Sequence, residues 1–432
     1  MRQCMFLLLT MSTLLTACVA TDGVSPAAHP LSTVPLTDVL PSSTPIDESP
    51  GLSSTSEPPT VQVPSGPAIP HLPVGLPLEI RFIDMRSETE GWAIGGLAGA
   101  EDHVLRTEDG GSTWVDVTPP EPVQELPYTR QVAIGYFADA GTGWVTYAQA
   151  PGFPGQPPAV VWHTSDAGQT WDSSFPLDLD GLQETFVPFF LGSTDGQVGW
   201  LMVGVGAGMS HQYVVLYMTG DGGRTWKRVL DPYGNSPIQV CWKTGLTFAD
   251  AQTGWLTRDC GGVVDGAFVD VTRDGGRTWT SVELLPPADR PEAFGYPNAC
   301  GTHSPVLSSP LSGLVAVSCK TYEPGEARPG PSLVYRTEDG GASWSVANAP
   351  YGELGMLDGQ LTWAFGRDIH RTPDEGETWS LVKAVNWDGQ FDFVTLDSGW
   401  AVARDGEEIA LVRTEDGGAT WQLLEPVTGS GE

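Results

Sequence analysis

Thr107-Glu-Asp-Gly-Gly-Ser-Thr-Trp114 decides the fold, because the same octad returns six more times along the chain. The further copies are Thr164-Ser-Asp-Ala-Gly-Gln-Thr-Trp171, Thr219-Gly-Asp-Gly-Gly-Arg-Thr-Trp226, Thr272–Trp279, Thr337–Trp344, Thr372–Trp379 and Thr414–Trp421. The shared pattern is T-x-D-x-G-x-[ST]-W. Its aspartates are Asp109, Asp166, Asp221, Asp274, Asp339, Asp374 and Asp416, spaced 57, 55, 53, 65, 35 and 42 residues apart. Self-similarity at this period marks a repeat architecture. Each octad reads as a turn between two strands: Asp accepts backbone N–H groups of its own turn, and Gly supplies a positive φ. Trp then returns on the next strand and buries its ring between neighbouring sheets.

A second marker precedes the octads: an apolar strand, a small turn, then Gly-Trp. It reads Phe82…Gly91-Trp92, Phe137…Gly143-Trp144, Phe190…Gly199-Trp200, Phe248…Gly254-Trp255 and Phe393…Gly399-Trp400, degrading to Gly313-Leu314 and Thr362-Trp363 in repeats five and six. Both markers together absorb 13 of the 16 tryptophans, so the tryptophan excess is architectural. The first repeat then reads as strands Glu79–Ile83, Trp92–Gly95, Val104–Thr107 and Trp114–Val117. At roughly 51 residues per repeat there is room for a four-stranded blade with loops. The octad resembles the Asp-box, or BNR repeat, of sialidase-like β-propellers. That resemblance implies an all-β, seven-bladed β-propeller over residues 78–432, with an Asp-box turn in each blade. Because the last repeat ends on its own strand, closure is expected from blade one packing on blade seven without an exchanged strand, with addition of His71–Pro77 to blade seven as the alternative.

The 432 residues carry 21 Lys+Arg against 53 Asp+Glu, a net charge of −32. That balance excludes nucleic acid, whose phosphates need a basic stripe, and electrostatic docking on anionic lipid. With 53 Gly, 37 Pro and 17% charged residues, coiled coils and helical arrays are excluded too. Residues 1–17 read as a signal peptide, an apolar stretch too short to span a membrane. It ends in Leu15-Thr16-Ala17-Cys18, which resembles the bacterial lipoprotein box and implies diacylglycerol on Cys18. An extracytoplasmic protein anchored to the bacterial cell membrane is the expectation. Residues 18–77 read as a tether; from Val19 to Pro77 there are 13 Pro, 15 Ser/Thr and no Lys or Arg. Such a chain reaches roughly 40–45 Å.

Strand alternation puts the octads on one face and the irregular, Pro-rich insertions Gln149–Pro158, Pro286–Cys300 and Tyr322–Pro331 on the other. Arg258, Arg367 and Arg404 lie three or four residues beyond the Gly-Trp or Thr-Trp marker of blades four, six and seven, among 16 arginines after the tether. They read either as a cationic patch for a carboxylate or acidic loop, or as three separately paired rim residues. The octad aspartates read as structural. An exo-sialidase-like glycoside hydrolase is the alternative function; it needs an arginine trio, an Asp acid/base and a Tyr–Glu nucleophile pair. No Tyr–Glu pair is assignable, and Arg81-Phe82-Ile83-Asp84 has the wrong order for the family's Arg-Ile-Pro motif. The octads, the Gly-Trp strands and the leader look more like the photosystem II assembly and stability factor family. That likeness implies a non-catalytic propeller binding membrane or envelope protein subunits. The tether and the acidic propeller depart from it, so a protein- or glycan-binding scaffold, monomeric and without cofactor, is the broader expectation. The seven His are scattered singly, with no metal-ligand spacing, and Asp178-Leu-Asp180-Gly181 lacks the downstream ligands of a Ca²⁺ loop.

Beyond Cys4 and Cys18, four cysteines remain. Cys241 and Cys260 lie 14 before and 5 after Trp255; Cys300 and Cys319 lie 14 before and 5 after Leu314. Matched offsets in adjacent repeats place both pairs at equivalent positions, near the start of one strand and the end of its neighbour. In an exported chain this favours disulfides Cys241–Cys260 and Cys300–Cys319 over the two other pairings or buried free thiols.

Overall fold

The computed structural model describes residues 66–431, apart from 125–129, 151–155, 183–184, 235, 262–265, 324–325 and 358. Cys18, the leader and tether residues 19–65 lie outside the described residues. Each octad forms the same hydrogen-bonded turn. Thr107 Oγ1 accepts the Gly111 N–H and donates to Asp109 Oδ1, both at 3.0 Å; Asp109 then accepts the Thr113 N–H (2.9 Å) and hydroxyl (2.8 Å). The set recurs at Asp166, Asp221, Asp274, Asp339, Asp374 and Asp416. The fifth octad residue is always Gly, at φ between +80° and +95°. A side chain there would sit in the left-handed region that L-residues avoid.

Among the described residues the octads belong to seven four-stranded antiparallel meanders. The first is Glu79–Met85, Gly91–Gly96, His103–Thr107 and Thr113–Asp116; the second begins at Ala133, the third at Val187, the fourth at Trp242. The fifth begins at Val306, the sixth at Glu353 and the seventh at Asp388. The only helical turns among the described residues are 3-10 turns at Pro237–Gln239 and Pro291–Ala293.

Neighbouring meanders are joined by the Gly-Trp rings. Trp92 stacks on Phe137 of the second meander (4.6 Å), Trp144 meets Trp226 of the third (5.6 Å), and Trp200 meets Phe248 of the fourth (5.3 Å). Trp255 meets Trp344 of the fifth (5.4 Å) and Trp363 meets Phe393 of the seventh (4.5 Å). Leu314, standing where the marker is degraded, shares a cluster with Leu361 of the sixth. Trp400 of the seventh donates its indole N–H to Gly110 O of the first (2.9 Å), which completes a cycle. These indoles are buried, each removing a large apolar area from water.

Two expectations change at the termini. After its own strand Gln422–Leu424, the chain crosses over, and Val427–Thr428 pairs in parallel with Thr113–Trp114 of the first meander. The ends are therefore joined by an exchanged strand as well as by packing. Residues 66–77, assigned to the tether, belong to the folded unit: Ile69 is buried and its N–H bonds Glu121 O (2.8 Å). Leu72 N donates to Asp116 Oδ2 (2.8 Å), and Leu76 N to the Thr428 hydroxyl (2.8 Å). Long-range pairing offsets the ordering cost of a segment whose own composition gives it no period.

Candidate functional site

The sheet ends away from the octads carry the irregular structure. The described residues of Tyr322–Pro331 are not a free loop: strands Gly313–Glu323 and Glu326–Thr337 enter it from both sides and pair with each other. Within Pro286–Cys300 the chain makes a 3-10 turn and then enters strand Asn298–Thr302. That strand pairs with Gly313–Glu323 and reaches Asp259 through Gly301, fusing the fourth and fifth meanders into one sheet. Both disulfides brace this junction: Cys241–Cys260 spans Cα atoms 4.6 Å apart and Cys300–Cys319 spans 4.0 Å.

A cleft of about 720 Å³ opens between the fifth, sixth and seventh meanders at this end. Its polar lining includes Lys320 of the long hairpin, His303, Glu353, Arg367 and Asp388, and Phe365 and Phe391 form its apolar wall. The two rings stack at 4.6 Å. Arg367 clamps Asp388 through Nη2 (2.8 Å) and Nε (3.1 and 3.2 Å). The hydrogen bond from Arg367 and its charge hold the Asp388 carboxyl below the usual range, while burial raises that of Glu353. One cleft thus holds two carboxyls whose environments push their protonation in opposite directions. Burial likewise lowers the His303 imidazole.

The arginine trio does not converge. Arg258 is buried, ion-paired with Asp270 (3.1 Å), bonded to Pro237 O (3.1 Å) and Ser281 Oγ (2.8 Å), and stacked over Phe268 (5.2 Å). Arg404 donates to Arg81 O (2.7 Å), joining the seventh meander to the first. Arg367 alone lines the cleft. The cationic patch is therefore not assembled; each arginine has its own partner, and these are Asp270, Asp388 and a carbonyl rather than the sequence-adjacent Asp259, Asp368 or Asp405. The octad aspartates sit at the opposite sheet ends with their acceptor sites filled, while Asp178 receives the Asp180 N–H (3.0 Å) in a local turn.

No family model matches the chain. A xyloglucanase of Paenibacillus sp. is 26% identical over 262 residues, covering 56% of this chain and 23% of that protein. The photosystem II stability/assembly factor HCF136 of Arabidopsis thaliana is 24% identical over 286 residues, 58% of this chain and 64% of that one. The photosystem II assembly lipoprotein Ycf48 of Synechococcus sp. is 24% identical over 350 residues, 80% of this chain and 74% of its own. Photosystem II assembly factors and xyloglucanase-like propellers are homologues of this chain. The chain spans a quarter of the xyloglucanase and just under two thirds of HCF136.

Against these homologues, the arginine clamp required of a sialidase is missing from the trio that the sequence pointed to. What the sequence did not point to is the cleft itself. Glu353, Asp388 and Lys320 belong to three different meanders, His303 lies in the connection before the fifth, and the four share no local pattern. The length of the Tyr322–Pro331 insertion was the one visible signal.

Proposed function

We propose that this chain is a seven-bladed Asp-box β-propeller, anchored to the outer face of a bacterial membrane through acylated Cys18, that acts as a non-catalytic scaffold for protein subunits. The observation carrying this reading is the alignment with a photosystem II assembly lipoprotein along 80% of the chain. The cycle of indole contacts and the seven matching turns support it. The cleft beside Arg367 and Asp388 is the docking point for a protein segment, since an apolar wall, an ion pair and the Lys320 side chain line one opening. Affinity capture of the acylated chain from its own membrane, with Arg367→Ala alongside, tests it. A partner captured by the native chain and lost in the variant supports the scaffold. Capture that is equal in both variants removes the cleft from the reading.

Glycoside hydrolysis is the second reading, favoured by the xyloglucanase homologue and by Glu353 and Asp388, whose environments push their protonation apart in one cleft. Turnover of xyloglucan or of a fluorogenic sialoside, abolished by Glu353→Gln, would promote it over the scaffold.

A further inference from the structure

The hairpins of the third and fifth meanders are longer than the rest. Gly199–Gly208 and His211–Thr219 have 10 and 9 residues, and Gly313–Glu323 and Glu326–Thr337 have 11 and 12, against 6 and 5 in the first meander. At about 3.3 Å per residue the surplus carries the far ends of these strands roughly 13–20 Å further. At the first tip, Met209 and Ser210 form a two-residue turn at φ +45° and +65°, where Asn or Gly is the usual choice. Met209 is 96% exposed. His211, next on this arm, bridges Cys241, whose N–H bonds Ser210 O (2.7 Å), so the neighbouring Trp242 stands beside the tip. Tyr213 carries Tyr233 against it at 5.8 Å. Trp242 is 55% and Tyr233 72% exposed. On the second arm, Tyr322 N donates to Pro297 O (2.8 Å), placing it beside Tyr296, which is 91% exposed.

We infer that these tips seat in the headgroup region of a zwitterionic bilayer, the membrane to which the acylated chain is tethered; this rests on the anchor proposed above. Trp and Tyr are the side chains that favour a membrane interface, each with an apolar body and a polar handle. They stand on projecting knobs, which suit a deformable medium, rather than in a groove shaped to one partner. The Cys241–Cys260 bond beside Trp242 holds the first group in place. Cations near that patch are turned inward: Lys243 Nζ donates to the carbonyls of Gln212 (3.1 Å), Val240 (3.3 Å) and Cys241 (2.7 Å), and Arg228 pairs with Asp231 (2.6 Å). With a net charge of −32 the chain is repelled by anionic headgroups, so the occupant is a neutral surface. Ala68 bridges Pro122, which follows the last strand of the first meander at the sheet ends bearing both tips.

The full acylated chain in phosphatidylcholine vesicles containing brominated lipid tests this. Tryptophan quenching is read together with flotation, for the native chain, Trp242→Ser and Met209→Ser. The expected result is flotation of all three, quenching in the native chain, its loss in Trp242→Ser, and at least a twofold reduction in Met209→Ser. Flotation with equal quenching, or none, in all three overturns the inference and leaves the anchor standing. A chain that neither floats nor is quenched overturns both. Quenching that requires phosphatidylglycerol overturns the neutral-surface assignment.

Discussion

Replacing Asp221 by Ala tests whether the octads are structural. Its carboxylate accepts the Thr225 N–H (2.9 Å), the Thr225 hydroxyl (2.6 Å) and the Thr219 hydroxyl (2.9 Å). A hydrogen bond contributes about 0.5–1.5 kcal/mol net, more to a charged acceptor, but this turn is exposed and water replaces part of what is lost. The loss is about 1–3 kcal/mol, a few degrees in melting temperature for a unit of this size. Burial raises the Asp221 carboxyl, and the bonds from Thr225 and Thr219 outweigh that, leaving it below 3.8 in the folded chain. A group depressed on folding stabilises above its unfolded value and loses that contribution as pH falls through the folded one. The gap between native chain and variant is therefore full at neutral pH and closes below about pH 4. The same sign holds at Asp339, where bonds from Ser343 and Thr337 bring the carboxyl to about 2. Thermal melts from pH 7 to pH 2.5, with partner capture at pH 7 on the folded variant, make the measurement. An unchanged melting temperature combined with lost capture would refute the structural role.

Three further outcomes follow from buried groups. Glu121 is buried against Trp162 Nε1 (2.7 Å) and its carboxyl is pushed up to about 7 by burial. Its contribution is present below about pH 4.5 and lost as pH rises through 7, so Glu121→Gln should melt higher than the native chain at pH 8, by about 2–3 kcal/mol of stability, and match it at pH 4; equal gaps at both pH values would contradict this. Trp400→Ala should cost about 3–5 kcal/mol and raise amide exchange across Glu79–Met85, because that indole joins the seventh meander to the first; exchange confined to the seventh meander would show that closure does not depend on it. Arg258→Ala leaves Asp270 buried without its ion-pair partner and should destabilise by about 3–5 kcal/mol while partner capture by the folded fraction is kept; a binding defect at unchanged stability would restore Arg258 to the ligand face.

The sequence by itself determined what lies within reach of one turn. An octad's Thr, Asp and Gly satisfy one another inside eight residues, so seven copies specify seven like turns; the Trp indole closes on its own octad's Gly carbonyl in four of them, while Trp171 reaches Val117 O of the first meander. The two disulfides were legible for a related reason: repetition converts equal offsets into equivalent places, and the repeat supplies the geometry that a lone cysteine spacing lacks. Arginines at equal offsets were a weaker guide, because a long guanidinium takes whichever acceptor the neighbouring strand offers. Arg258 found Asp270 on an adjacent strand of its own sheet, Arg367 found Asp388 of the next meander, and Arg404 found a carbonyl across the closure. The folding of residues 66–77, the crossing of Val427–Thr428 to the first meander and the cleft among three meanders were decided by tertiary structure alone. Each depends on which strands abut after the cycle closes, a relation between residues as far apart as Leu76 and Thr428 that no local pattern encodes.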